Sequence, residues 1–92
     1  MEFEWDEAKR FSNLTRHGID FRAVRRLFDG RPVLTNKSSY ADEQRWLTTG
    51  ILGERFVTVV WTWRGDTIRM ISARRARDGE QRAYRALHGR GA

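Results

Sequence analysis

An α+β domain, with helices packed on an antiparallel sheet, is the fold class the sequence predicts, and three observations predict it. Two segments near the N-terminus carry apolar residues at three-to-four spacing, bounded by capping residues and breakers. The stretch from Arg55 to Trp63 alternates between two faces and is bracketed by the turn pairs Gly53-Glu54 and Gly65-Asp66. A capping residue, Asp78, then precedes a last helical pattern. The order reads β-α-α-β-β-β-β-α, one domain over residues 1–92 with two N-terminal helices and one C-terminal helix.

Residues 2–5 open the chain as a short half-buried strand, with Phe3 and Trp5 on one side and Glu2 and Glu4 on the other. Asp6 caps a helix that runs to about His17, with Glu7 at its positive end and Gly18 as the left-handed residue that stops it. Its apolar spacing is Ala8, Phe11 and Leu14, which predicts the face that packs. Asp20 caps a second helix with the stripe Phe21, Val24, Leu27 and Phe28; Asp29-Gly30 ends it and Pro32 prevents a restart. Val33 to Thr35 predicts a short strand, and Asn36 to Asp42 a polar loop, the one connection long enough to move.

Glu43 to Leu52 predicts a strand with Trp46 inward. In the strand from Arg55, Val57, Val59, Trp61 and Trp63 share one face, and Phe56, Thr58, Val60 and Thr62 the other. Both faces are apolar enough for a central strand. Arg64-Gly65-Asp66 turns into a strand over Thr67–Ala73, completing a meander. The final helix starts at Asp78, with Gln81 at the reciprocal capping position and Ala83, Tyr84 and Leu87 as its narrow stripe; Gly89 to Ala92 is expected to fray.

The composition narrows the function. No cysteine is present, which excludes disulfides and thiolate metal sites. No apolar run approaches the ~20 residues that span a bilayer, and the acidic start is unlike a signal peptide. A cytoplasmic setting with no membrane role is the expectation. The net charge is +6, and sixteen of the eighteen basic residues are arginine. Residues 1–46 are nearly balanced at +1, whereas residues 47–92 carry +5. Arginine matches phosphate bidentately and stacks on bases, so an anionic partner, RNA or DNA, is expected. A basic surface that serves only solubility is the plainer alternative.

Most of that charge gathers where a strand passes into a helix, at Arg69, Arg74, Arg75, Arg77, Arg82 and Arg85, on either side of Tyr84. The two histidines, His17 and His88, lack partners at metal-ligand spacing, and no glycine-rich phosphate loop is present, so neither a metal nor a nucleotide cofactor is expected. RNA cleavage demands less of a protein. The substrate brings its own 2′-hydroxyl nucleophile, and the protein positions the backbone, neutralises charge and moves two protons. Arg69, Arg74 and Arg75 suit the first two tasks; His17, Glu43, Lys9 and Tyr84 are candidates for the third. Each has a plainer reading. His17 suits a helix C-terminus, Lys9 a solvated face, Glu43 a cross-strand pair with Arg45 or Arg69, and Tyr84 a core stripe.

The motifs together resemble the BrnT family of toxins from bacterial type II toxin–antitoxin systems. The resemblance rests on Phe3-Glu4-Trp5-Asp6 with Lys9, Asn13, Arg16-His17-Gly18, Phe21, and Val24 through Phe28-Asp29. It continues with Glu43-Gln44-Arg45-Trp46, Gly50, the run Arg69-Met70-Ile71-Ser72-Ala73-Arg74-Arg75-Ala76, and Glu80-Gln81-Arg82-Ala83-Tyr84. It implies a RelE-like ribonuclease fold, RNA cleavage that arrests translation, and a BrnA-like antitoxin of the ribbon-helix-helix kind. Toxin and antitoxin would form a heterotetramer that touches operator DNA only through the antitoxin. It also implies Lys9, His17, Glu43, Arg45, Arg69, Arg74 and Tyr84 as the functional set, with Arg75, Arg77 and Arg82 available to RNA. Where many relatives carry a histidine in the loop before the Glu-Glu-Arg-Trp strand, this chain has Ser39 or Tyr40, so that either Tyr40 substitutes for it or the loop serves only binding. The alternatives are a non-catalytic basic module that only binds nucleic acid, and a structural partner whose basic face docks an acidic protein.

Overall fold

The computed structural model describes residues 1–40 and 42–89, without the side chains of Ser39 and Tyr40. The substitute role of Tyr40 and the fraying of residues 90–92 therefore lie outside the described residues. The elements are β1 (Glu2–Glu4), α1 (Glu7–His17), α2 (Phe21–Val24) running into a 3₁₀ turn (Arg25–Phe28), β2 (Leu34–Tyr40), β3 (Glu43–Leu52), β4 (Arg55–Arg64), β5 (Thr67–Arg75) and α3 (Asp78–His88). The predicted order holds.

The five strands form one sheet in the order β1-β5-β4-β3-β2. β4 is central, as its two apolar faces require. The four later strands are an antiparallel meander, whereas β1 pairs in parallel with β5, Glu2 to Thr67 through Glu4 to Arg69. One face packs on α2 and the 3₁₀ turn. Phe21, Val24 and Leu27 meet Val57, Val59, Trp61, Ile68, Met70 and Ala73 there, with Phe3, Trp5, Phe28 and Trp46 at the rim. The fit is tight where the 3₁₀ turn crosses β3: a Cβ on Gly50 would sit 2.7 Å from Leu27 and 3.0 Å from Val33. The opposite face is covered at one end by α3, where Tyr84 packs edge-on against Phe56.

Four expectations change. The segment expected as a loop, Asn36 to Asp42, is largely strand: β2 continues through Tyr40 and pairs with β3. Its polar residues suit an exposed edge, and Lys37 finds a partner over the Trp46 ring at 5.4 Å. β5 extends to Arg75 and carries a bulge beside Val60 and Trp61, so Ile71 is the extra residue. The cap of α3 is Arg77 rather than Asp78, and Glu80 rather than Gln81 closes the first turn by accepting the Arg77 backbone N–H at 2.8 Å.

The fourth change concerns α1. Its apolar stripe does not pack. Phe11 is 58% exposed and Leu14 37%, while the residues it buries are Arg10 and Asn13. Arg10 reaches Glu7 at 2.6 Å and Asp20 at 3.1 Å, tying α1 to the cap of α2. Asn13 donates to the Ile19 carbonyl and accepts the Ala73 N–H, both at 3.0 Å. Because β1 pairs with β5 only as far as Arg69, the Ala73 N–H further along that edge has no strand partner among the described residues. The Asn13 amide supplies one. The helix is therefore fixed by polar contacts and presents its apolar side outward.

Candidate active site

The bulge in β5 decides which of its side chains share a face. By register Arg69 lies opposite Thr62, Ser72 opposite Val60 and Arg74 opposite Thr58, so these three project from the sheet face away from α2. Strand alternation places Glu43, Arg45 and Leu47 of β3 on the same face, with Leu47 opposite Val60. Four predicted site residues, Glu43, Arg45, Arg69 and Arg74, thus share one face with half-buried apolar residues as its floor.

Each of these arginines faces a carboxylate. Arg45 donates to Glu43 at 2.8 Å and Arg69 to Glu4 at 2.7 Å. Arg74 grips Glu80 with both terminal nitrogens, at 2.8 and 2.9 Å. Glu80 also accepts the Thr58 hydroxyl at 3.0 Å in addition to the Arg77 N–H. The Arg74 guanidinium, followed by the Arg77 N–H and the Thr58 hydroxyl, holds the Glu80 carboxyl down at about 2 against its usual 4.5. Arg74 and Glu80 are only 19% and 21% exposed. This pair fastens α3 to the sheet, and its charge is largely internally compensated.

The predicted residues on α1 occupy a different place. A cleft of about 290 Å³ opens between α1 and the bulged edge of β5, lined by Lys9, Ser12, Asn13, Arg16, His17, Ile71 and Ser72. The five helical residues recur at i, i+3, i+4, i+7 and i+8, a single stripe opposite Phe11 and Leu14. Lys9, Arg16 and His17 form no ion pair among the described residues, and the cleft lining has no carboxylate. Asn13 fixes the helix in the middle of this stripe. Ser72, between Arg69 and Arg74 on β5, joins the cleft to the arginine face. The site therefore combines three cationic or protonatable groups, two hydroxyls and an anchored backbone, which suits a phosphodiester.

Arg75, Arg77 and Arg82 are exposed around the start of α3, without ion pairs among the described residues. Tyr84 is not at the cleft. It is 2% exposed beneath α3, its hydroxyl directed at the Pro32 carbonyl at 3.5 Å, and His88 packs beside it while bonding to the Val33 carbonyl. The candidate proton donor is placed as a core residue, because the apolar stripe of α3 carries it onto Phe56. Ser12, Arg16 and Ser72 are the cleft residues that the reading of candidates overlooked. The polar stripe of α1 is the sequence signal that marks this face. Among the described residues no group of three or more His, Asp or Glu side chains is arranged to hold a metal ion, and no helix is long and apolar enough to cross a membrane.

No curated protein matches the chain. A family model described as the ribonuclease toxin BrnT of type II toxin–antitoxin systems matches residues 5–80, which include both cleft and arginine face and stop short of Tyr84. That span is most of the sequence, and the chain belongs to the BrnT family of ribonuclease toxins, whose members act within toxin–antitoxin pairs.

Proposed function

We propose that this chain is a metal-independent endoribonuclease that cuts RNA in the cleft between α1 and β5 and thereby arrests translation. The observation that carries the reading is the uncompensated charge of the cleft, set against carboxylate-paired arginines on the adjoining sheet face. A phosphodiester entering the cleft gains two cations, Lys9 and Arg16, without breaking an existing pair. The RNA 2′-oxygen attacks phosphorus as the 5′-oxygen leaves, giving a 2′,3′-cyclic phosphate and a 5′-hydroxyl. One proton is taken from the 2′-hydroxyl and one is given to the 5′-oxygen. His17, exposed on the cleft, is the first candidate to carry a proton. Glu43 is the second candidate base, since its carboxylate lies on the connected face.

Arg45 and Arg69 extend the surface along the RNA backbone, sharing their charge with Glu43 and Glu4. Arg75, Arg77 and Arg82 supply further nonspecific attraction. Arg74 acts mainly as a positioning residue, holding α3 and the end of β5. The antitoxin is a BrnA-like ribbon-helix-helix protein, and the two proteins form a heterotetramer that meets operator DNA through the antitoxin. The test is cleavage of a labelled single-stranded RNA by antitoxin-free protein in excess chelator. Products ending in cyclic phosphate are expected. Salt-dependent RNA binding with no product would replace the enzyme by a binding module.

A further inference from the structure

The outward face of α1 has no role in the cleft, yet it is apolar. Phe11 and Leu14 stand on it, 58% and 37% exposed. Leu14 also lines a separate groove of about 340 Å³ between α1, α2 and the β3–β4 turn. The groove has an apolar floor from Ile19, Ala23, Leu52 and Val57. Two arginines, Arg26 and Arg55, stand among its lining residues without a carboxylate partner among the described residues. Its one acid, Asp20, is already held by Arg10 and Arg22. The stripe and the groove form one surface, on the side of α1 turned away from Lys9, Arg16 and His17.

We infer that this surface is where the antitoxin anchors, through a segment bearing apolar residues flanked by acidic ones. The apolar floor and the exposed phenylalanine are suited to bury a hydrophobic anchor, and the two arginines select acidic flanks. A second copy of this chain is the poorer occupant. A twofold contact would bring the same arginines of two chains, each with a net charge of +6, toward one another. RNA would meet the two arginines but would leave the apolar floor of Ile19, Ala23, Leu52 and Val57, and the exposed Phe11, unfilled. The inference rests on the antitoxin that the family implies and is independent of how the cleft cuts RNA.

The anchor therefore lies opposite the cleft, and capture of the antitoxin is separable from cleavage. Two variants test this, Phe11→Ser with Leu14→Ser, and Arg55→Glu alone in case the double variant fails to fold. Binding to the antitoxin encoded beside the toxin is measured by calorimetry, with RNA cleavage measured in parallel and the mass of the free protein followed by sedimentation. Both variants should lose on the order of 10- to 100-fold in antitoxin affinity, as anchor residues do, while cleaving RNA at the wild-type rate when alone. Wild-type affinity in folded variants would overturn the assignment. So would a free dimer that these substitutions dissociate without changing antitoxin affinity. The binding readout stands even if the protein proves to have no ribonuclease activity.

Discussion

The α1 cleft and the Arg74–Glu80 corner are both basic by sequence, and they use their charge in opposite ways. At the corner an arginine is matched to a carboxylate with both terminal nitrogens, and the carboxylate is further satisfied by a hydroxyl and a backbone N–H. The result is an anchor with little net field. In the cleft Lys9, Arg16 and His17 line a cavity that has no acid. A phosphate arriving at the corner must compete with Glu80; one arriving in the cleft meets cations with no carboxylate to displace. Density of arginine in a sequence is therefore a poor guide to where an anion binds. What matters is which cations the fold leaves unmatched.

The largest effect expected from this contrast is on the cleft. His17→Ala should lower RNA cleavage by roughly 10²- to 10⁴-fold, the usual worth of a positioned proton carrier, while leaving the melting temperature nearly unchanged. Near-normal cleavage by that variant would move proton transfer to Glu43. At the corner, Glu80→Gln should instead lower stability by about 2–3 kcal/mol in urea denaturation, because it leaves Arg74 half-matched in a confined place.

The same carboxylate sharpens the contrast through pH. The Glu80 carboxyl titrates at about 2 in the folded protein and near 4.5 when free of its partners. Its contribution is complete above about 4.5 and is lost as pH falls toward 2, because the unfolded chain takes up the proton first. Of the order of 2 kcal/mol should disappear across that window, allowing for partial solvent screening. A denaturation series from pH 6 to 2 should show the loss in the wild type and a smaller slope in Glu80→Gln. Smaller again is the core effect of Gly50→Ala. A methyl pressed against Leu27 and Val33 should cost about 1–2 kcal/mol, seen as a lower urea midpoint. It should leave cleavage intact below the melting transition.

The meander was legible because β3, β4 and β5 are apolar runs separated by glycine turns, and α2 because its stripe does pack. Only the start of β2 was legible, at Val33 to Thr35: its continuation, Asn36-Lys37-Ser38, carries no alternation, and only pairing with β3 makes it a strand. The parallel placement of β1 follows from tertiary packing that no local pattern encodes. Within the site, the residue types on β3 and β5 were readable, but the Arg69–Glu4 pair joins positions distant in sequence, and the Arg74–Glu80 pair forms only once the chain folds from β5 into α3. α1 was misread for a physical reason. Its inward side is satisfied by the hydrogen bonds of Asn13 and the ion pairs of Arg10, so apolarity does not mark the packed face. The polar stripe from Lys9 to His17 would have named the cleft.

RNA phosphate held by the cleft rather than by Arg74 would make the two arginines respond differently to removal. The most direct test is a side-by-side comparison of Arg16→Ala and Arg74→Ala, each confirmed folded, in chelator-treated cleavage of one single-stranded RNA. Arg16→Ala is predicted to lose on the order of 100-fold in rate at an unchanged melting temperature. Arg74→Ala is predicted to melt earlier yet to stay within about tenfold of wild type at a temperature where it is folded. A folded Arg74→Ala that loses 100-fold or more, beside an Arg16→Ala that cleaves like wild type, would contradict the account and return the phosphate to the arginine corner.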